Sequence, residues 1–255
     1  MLKGMWRAEL AVGGAVRPGI VGVVSLTVLT LVSVASAVVP YASVRIPDPG
    51  NRLQGITALN EGGRVACWNR TGTGYIWDGT NVTLLPGSGV LRESWSLAIN
   101  DSDVAVGGIS LGGFNLGGYS KAAKWQGGVL TQLDLGTLNG NDSVAYAINN
   151  AGMIAGRSII GGNFHMFTLS PGGAVTDIGV PPAGLVPWIE GMNESGQVIM
   201  MGGGEMDGYI WQNGIYTPLH DTDGTNFGAP YGINDAGVVV GMSAPHQRNA
   251  KAVVW

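Results

Sequence analysis

A small residue, an apolar residue, Asn, two variable residues and then usually Gly recur five times along the chain. The copies centre on Asn60, Asn100, Asn149, Asn193 and Asn234 and follow one another at 40, 49, 44 and 41 residues, a blade-sized period. Inside each period a short strand ends in a large apolar residue, as in Gly74-Tyr75-Ile76-Trp77, Ala122-Ala123-Lys124-Trp125 and Gly208-Tyr209-Ile210-Trp211. A turn then leads into a further strand, with Asp78-Gly79, Gly127-Gly128, Gly172-Gly173 or Asn213-Gly214 at the bend. Such dipeptides between apolar runs are the strongest local hairpin signals. No stretch carries a convincing helical period. Each unit is therefore four short antiparallel strands, here a to d, and five units predict an all-β fold, a single β-propeller of five four-stranded blades.

Comparison of the copies with one another predicts how blades pack. One position before the Asn stand Leu59, Ile99, Ile148, Met192 and Ile233; two before it stand Ala58, Ala98, Ala147, Gly191 and Gly232. A large face stacked on a small one fills the space between neighbouring blades without voids. The Asn begins a turn in which its side chain is expected to bond the backbone two residues on, while the Gly takes a positive φ. A position repeated in every blade cannot mark one asymmetric site, so the five Asn are structural. The chain ends at Trp255 on a third strand, and Ser43-Val44-Arg45-Ile46-Pro47 is expected to supply the missing fourth, closing the ring. The competing account is truncation of a longer propeller.

Glycine contributes 44 of 255 residues while hydrophobic content stays at 45%, which signals many tight turns around a real core. Charged residues make up only 12% and the net charge is -4, so the chain has no basic footprint for nucleic acid. The single Cys67 has no partner for an intramolecular disulfide and is expected as a small strand side chain. Lys3, Arg7 and Arg17 precede an uncharged run from Gly19 to Val39 that contains Ala35-Ser36-Ala37. This pattern predicts a signal peptide over 1–37, a propeller domain over 38–255 and a secreted or cell-surface protein. The alternative is an uncleaved anchor, since about 20 apolar residues span a bilayer; membrane contact is expected only through that segment.

The middle of the chain carries Leu133-Asp134-Leu135-Gly136-Thr137-Leu138, then Ala147-Ile148-Asn149-Asn150-Ala151-Gly152, then His165-Met166-Phe167-Thr168-Leu169. Over residues 55 to 255 this order resembles the bacterial extracellular repeat family called HAF. Met166 stands where the family has Ala and Leu169 where it has Trp, and one copy alone retains the His. The resemblance implies an exported repeat protein with a propeller fold and supplies no catalytic or ligand residues.

On a propeller, the a–b and c–d turns share one face, and the b–c and d–a loops share the other. The variable segments 107–120, 156–164, 202–207 and 241–248 fall on the second face, where function is usually carried. Trp95 and Trp188 occupy the same repeat position, five before the Asn; Tyr146 and Tyr231 share another, three before it. On an open rim these four would stack on sugar rings or aromatic groups; sealed between blades they would be core. The loop 220–226 offers oxygen ligands at alternate positions with a turn at Gly224, a faint calcium-loop pattern without its closing glutamate, with Asp221, Asp223 and Asn226 as the candidate ligands. No other cofactor is indicated. No serine elbow, phosphate loop or zinc-protease motif is present. The leading expectation is a non-enzymatic binding module for a carbohydrate or a surface protein. Its alternatives are a propeller glycoside hydrolase or lyase, with Glu190, Asp221 and Asp223 as the available carboxylates, and a self-associating structural repeat.

Overall fold

The hairpin signals become four strands in each of the first four units and three in the fifth among the described residues. A computed structural model describes residues 43–47, 53–69, 72–88, 93–111, 119–182, 187–202, 207–220, 228–243 and 251–255. The first blade is β1 (Leu53–Leu59), β2 (Val65–Asn69), β3 (Gly74–Trp77) and β4 (Val82–Leu84). The second is β5 (Ser94–Ile99), β6 (Ala105–Ser110), β7 (Ser120–Gln126) and β8 (Val129–Gln132). The third is β9 (Asp142–Ile148), β10 (Ile154–Ile160), β11 (Asn163–Leu169) and β12 (Val175–Gly179). The fourth is β13 (Trp188–Met192), β14 (Val198–Met201), β15 (Gly208–Gln212) and β16 (Ile215–Leu219), and the fifth is β17 (Gly228–Ile233), β18 (Val239–Ser243) and β19 (Lys251–Val254). Every sheet is an antiparallel meander in chain order, and together they make a five-bladed β-propeller. The signal-peptide segment 1–37 lies outside the described residues.

Large-on-small packing holds at the seams from the first blade to the fourth. Ile99 faces Ala58 and Ala66 between blades one and two, Ile148 packs beside Ala98 between two and three, and Met192 meets Ala147 between three and four. Trp125, Phe167 and Met166 are fully buried in these layers. The motif Asp134-Leu135-Gly136-Thr137-Leu138 forms a 3-10 turn over Gly136–Leu138 that inserts Leu135 and Leu138 between the second and third blades. Cys67 is a buried strand residue, its thiol pushed up by desolvation.

Two expectations are refined. Residues 43–47 carry no strand among the described residues; Ile46 instead packs on the first blade against Val65, Cys67 and Tyr75, and the last sheet shows three strands. None of the hydrophobic clusters joins the last blade to the first among the described residues, and Leu59, Val240 and Val254 remain 67%, 49% and 68% exposed. The segment 156–164 is not a loop: β10 runs to Ile160 and β11 starts at Asn163, leaving a two-residue hairpin at Gly161-Gly162. Two glycines at positive φ make the tightest connection available to a twisted hairpin.

The repeated Asn is structural, by bonds the local turn pattern does not show. Its Oδ1 accepts the backbone N–H four residues on, from Arg64, Val104, Met153, Gln197 or Val238, at 2.9–3.0 Å. The bond two residues on forms only at Asn100, from Ser102. Its Nδ2 crosses to the next blade: Asn60 donates to the Asn100 carbonyl (3.0 Å), Asn100 to Asn149 (3.0 Å), Asn149 to Asn193 (3.3 Å) and Asn193 to Asn234 (3.0 Å). A parallel set lies one residue on. The N–H groups of Glu61, Asp101, Asn150 and Glu194 donate to the side-chain oxygens of Asp101, Asn150, Glu194 and Asp235 in the following blades. Positive φ falls three residues after each Asn, on Gly63, Gly152, Gly196 and Gly237 and, in the second blade, on Asp103.

Candidate functional site

Strand a of every blade carries a β-bulge at the same repeat position. The register against strand b skips Thr57, Leu97, Tyr146, Glu190 and Tyr231 in turn. A bulge leaves one residue unpaired and re-aims its side chain. Thr57 uses this freedom to donate its hydroxyl to the Ser96 carbonyl of the next blade (2.9 Å). Tyr146 uses it to reach Trp188 of the fourth blade, ring centroids 6.1 Å apart and planes at 81°, an edge-to-face contact.

Arg157 completes this group. It sits on β10 opposite Val144 and Met166, and its guanidinium carbon lies 4.9 Å from the Trp188 ring centroid, 4.9 Å from that of Phe164 and 5.8 Å from that of Tyr146. Cation–π contacts of this kind contribute about 0.5–1 kcal/mol each at exposed sites. Trp188 is held by these contacts and is nevertheless 45% exposed. Desolvation pushes the Tyr146 phenol up; Arg157 opposes that shift, and Asp142 and Glu190 add to it.

Of the four aromatic candidates, the structure brings Tyr146 and Trp188 together and leaves Trp95 and Tyr231 apart. The Trp95 ring lies over Gly108 of its own blade, where an added Cβ would meet ring atoms at 2.4–2.9 Å. Tyr231 is 56% exposed on the fifth blade. Asp221, Asp223 and Asn226 lie outside the described residues. His165, the family-like histidine, pairs its Nδ1 with Asp177 Oδ2 at 3.0 Å. A cavity of about 440 Å³ between the first two blades is lined by Ile76, Ile99, Trp125 and the pair Arg64–Asp103, whose charges already meet at 3.0 Å.

Glu190, two residues after Trp188 on β13, is exposed, yet the atoms around its carboxyl raise its pKa by desolvation. Folded and unfolded chains are both protonated well below the usual glutamate value of about 4.3. As pH rises from there through the raised folded pKa, the unfolded chain releases its proton first, so stability falls across that window. Glu190→Gln is expected to remove the fall. Thermal midpoints between about pH 4 and pH 7 should then separate from the wild type with the variant the more stable; parallel curves would show an unshifted carboxyl.

The chain is thus a five-bladed β-propeller with an exposed aromatic pair where its third and fourth blades meet. Among solved structures the chain is similar to virginiamycin B lyase from Staphylococcus aureus, with a TM-score of 0.51 and 12% identity over 80% of this chain and 69% of that one. It also aligns with TolB from Acinetobacter baumannii, with a TM-score of 0.43 and 14% identity over 71% of this chain and 45% of that one. The first likeness shows the propeller fold and nothing finer. No protein-family model and no curated protein matches the sequence.

Proposed function

We propose that this protein is a secreted or cell-surface, non-enzymatic β-propeller that binds carbohydrate through Trp188 and Tyr146. The observation that carries the reading is the state of Trp188: solvent-open, but fixed by the edge of Tyr146 and the guanidinium of Arg157. A platform ordered before binding avoids much of the side-chain entropy that association otherwise costs. Its apolar face suits the C–H face of a sugar ring, with polar groups beside it to fix orientation. Export is supported by the basic, apolar and small-residue order of residues 3–37.

A glycan-array screen of residues 38–255 is expected to return hits that Trp188→Ala weakens by about 10-fold or more, while Trp95→Ala leaves them in place. Trp188→Ala should fold, because its exposed ring carries little of the core. An array blank for the wild type would remove the reading. A second reading, self-association, is favoured by the exposed apolar residues Leu59, Val240 and Val254 on the first and last blades. Sedimentation velocity showing a monomer at every concentration would exclude it.

A further inference from the structure

Arg157 is surrounded by the rings of Tyr146, Phe164 and Trp188. Among the described residues the ion pairs are Arg64–Asp103 and His165–Asp177, and Arg157 has neither a carboxylate within 4.0 Å nor a hydrogen-bond acceptor. The nearby acids do not serve it. Asp142 Oδ1 accepts from the Ser120 N–H and hydroxyl, and Glu190 forms no ion pair with it among the described residues. A guanidinium offers five N–H donors in a planar fork matched to two coplanar oxygens. Held on aromatic faces, Arg157 keeps that fork unused, and its carbon is 4.9 Å from the centroid of the open Trp188 ring. Because the guanidinium covers part of the indole, a sugar at the exposed part of Trp188 would lie beside it, with its ring substituents within reach of the fork.

We infer that the carbohydrate taken at this platform is acidic, a saccharide bearing a carboxylate, with Arg157 receiving the two carboxylate oxygens. This rests on the carbohydrate reading above and adds the ligand's charge class. A bidentate charge-assisted pair supplies both energy and geometry, which a neutral hydroxyl array does not.

Calorimetric titration with a short oligogalacturonate, its methyl ester and a sulfated oligosaccharide of matched length tests the assignment. The wild type is expected to prefer the free acid over the ester by about 10- to 100-fold. Arg157→Lys keeps the positive charge without the fork and is expected to bring that preference close to unity, with its thermal midpoint reporting whether the fold is intact. Equal binding of acid and ester by the wild type, stronger binding of the sulfated sugar, or an undiminished preference in folded Arg157→Lys would each overturn the inference. The wild-type comparison decides even if Arg157→Lys fails to fold. Equal binding of acid and ester, both lost in Trp188→Ala, would leave the carbohydrate reading standing; no binding of any of these sugars together with a blank array would remove both.

Discussion

Gly107→Ala is expected to destabilise the protein by about 3 kcal/mol or more, and to yield no folded material if the blade cannot relax. A Cβ at Gly107 would stand 1.9 Å from the Trp95 carbonyl oxygen and 3.1 Å from the Ser96 Cα, backbone atoms of strand a just ahead of its bulge. Flexible side chains can swing away from such a contact; a backbone carbonyl within a paired strand cannot move without breaking its ladder. The same collision recurs at Gly241, 2.1 Å from the Ala229 oxygen, and at Gly156, 2.5 Å from that of Val144. The first and fourth blades hold Cys67 and Met200 at this repeat position, opposite a bulge in the same register. Gly191→Ala is the control. Its Cβ would be 3.6 Å from Ile199, an ordinary contact, and sister copies carry Ala58, Ala98 and Ala147 there. That variant should remain within about 1 kcal/mol of the wild type, on the stabilised side through a less disordered unfolded chain. Urea unfolding measures both, and an undisturbed Gly107→Ala would show that the strand a carbonyl yields easily.

Asn100→Ala is expected to cost roughly 2–4 kcal/mol, because it strands a buried carbonyl and two part-buried N–H groups at once. Asn100 is 5% exposed, donates to the Asn149 carbonyl at 3.0 Å, and accepts from the N–H groups of Ser102 (3.1 Å) and Val104 (3.0 Å). Asn234→Ala should cost about 1 kcal/mol or less. Asn234 is exposed and accepts from Val238 at 2.9 Å, but its amide makes no crossing to another blade among the described residues. Equal losses at the two positions would mean that the local turn, present in both, carries the stability and the inter-blade bond does not.

The contrast between those two asparagines shows what the sequence discloses. Blade number, strand order and large-on-small packing were legible because each is written five times, and copies of one unit act as their own alignment. The turn was legible in outline, including its positive-φ residue. Its partner across the seam was not, since nothing in Asn60 alone points to Asn100. A sign was nevertheless present: Glu61, Asp101, Asn150, Glu194 and Asp235, read as variable, all carry a side-chain oxygen. The bulge escaped notice because skipping a residue leaves no mark on composition.

The candidate site was legible only by half. Tyr146 and Trp188 stood out as aromatics at recurring positions, but recurrence also nominated Trp95 and Tyr231, which the fold keeps elsewhere. Arg157 was missed for the opposite reason. Its counterparts in the other blades are Trp68, Gly108, Met201 and Met242, so it is a lone charge in the interior of a strand whose sister positions carry none. Repetition identifies scaffold, and a site on a repeated scaffold has to be sought in the exception.

The paired rungs between blades bear on how such a chain can change length. Donor and acceptor come from the same two positions of successive units, always running from one unit to the next. Duplicating or deleting a whole unit would leave each surviving junction with the same bonds, for instance between the Asn149 and Asn193 copies. Growth by copying thus keeps the bonding pattern of every seam, while an insertion of part of a unit would leave the seam at which it falls without its matching donor or acceptor. Selection on the rungs constrains only a few residues per blade, which leaves the remainder of each copy free to diverge and one of them free to acquire an unneutralised arginine.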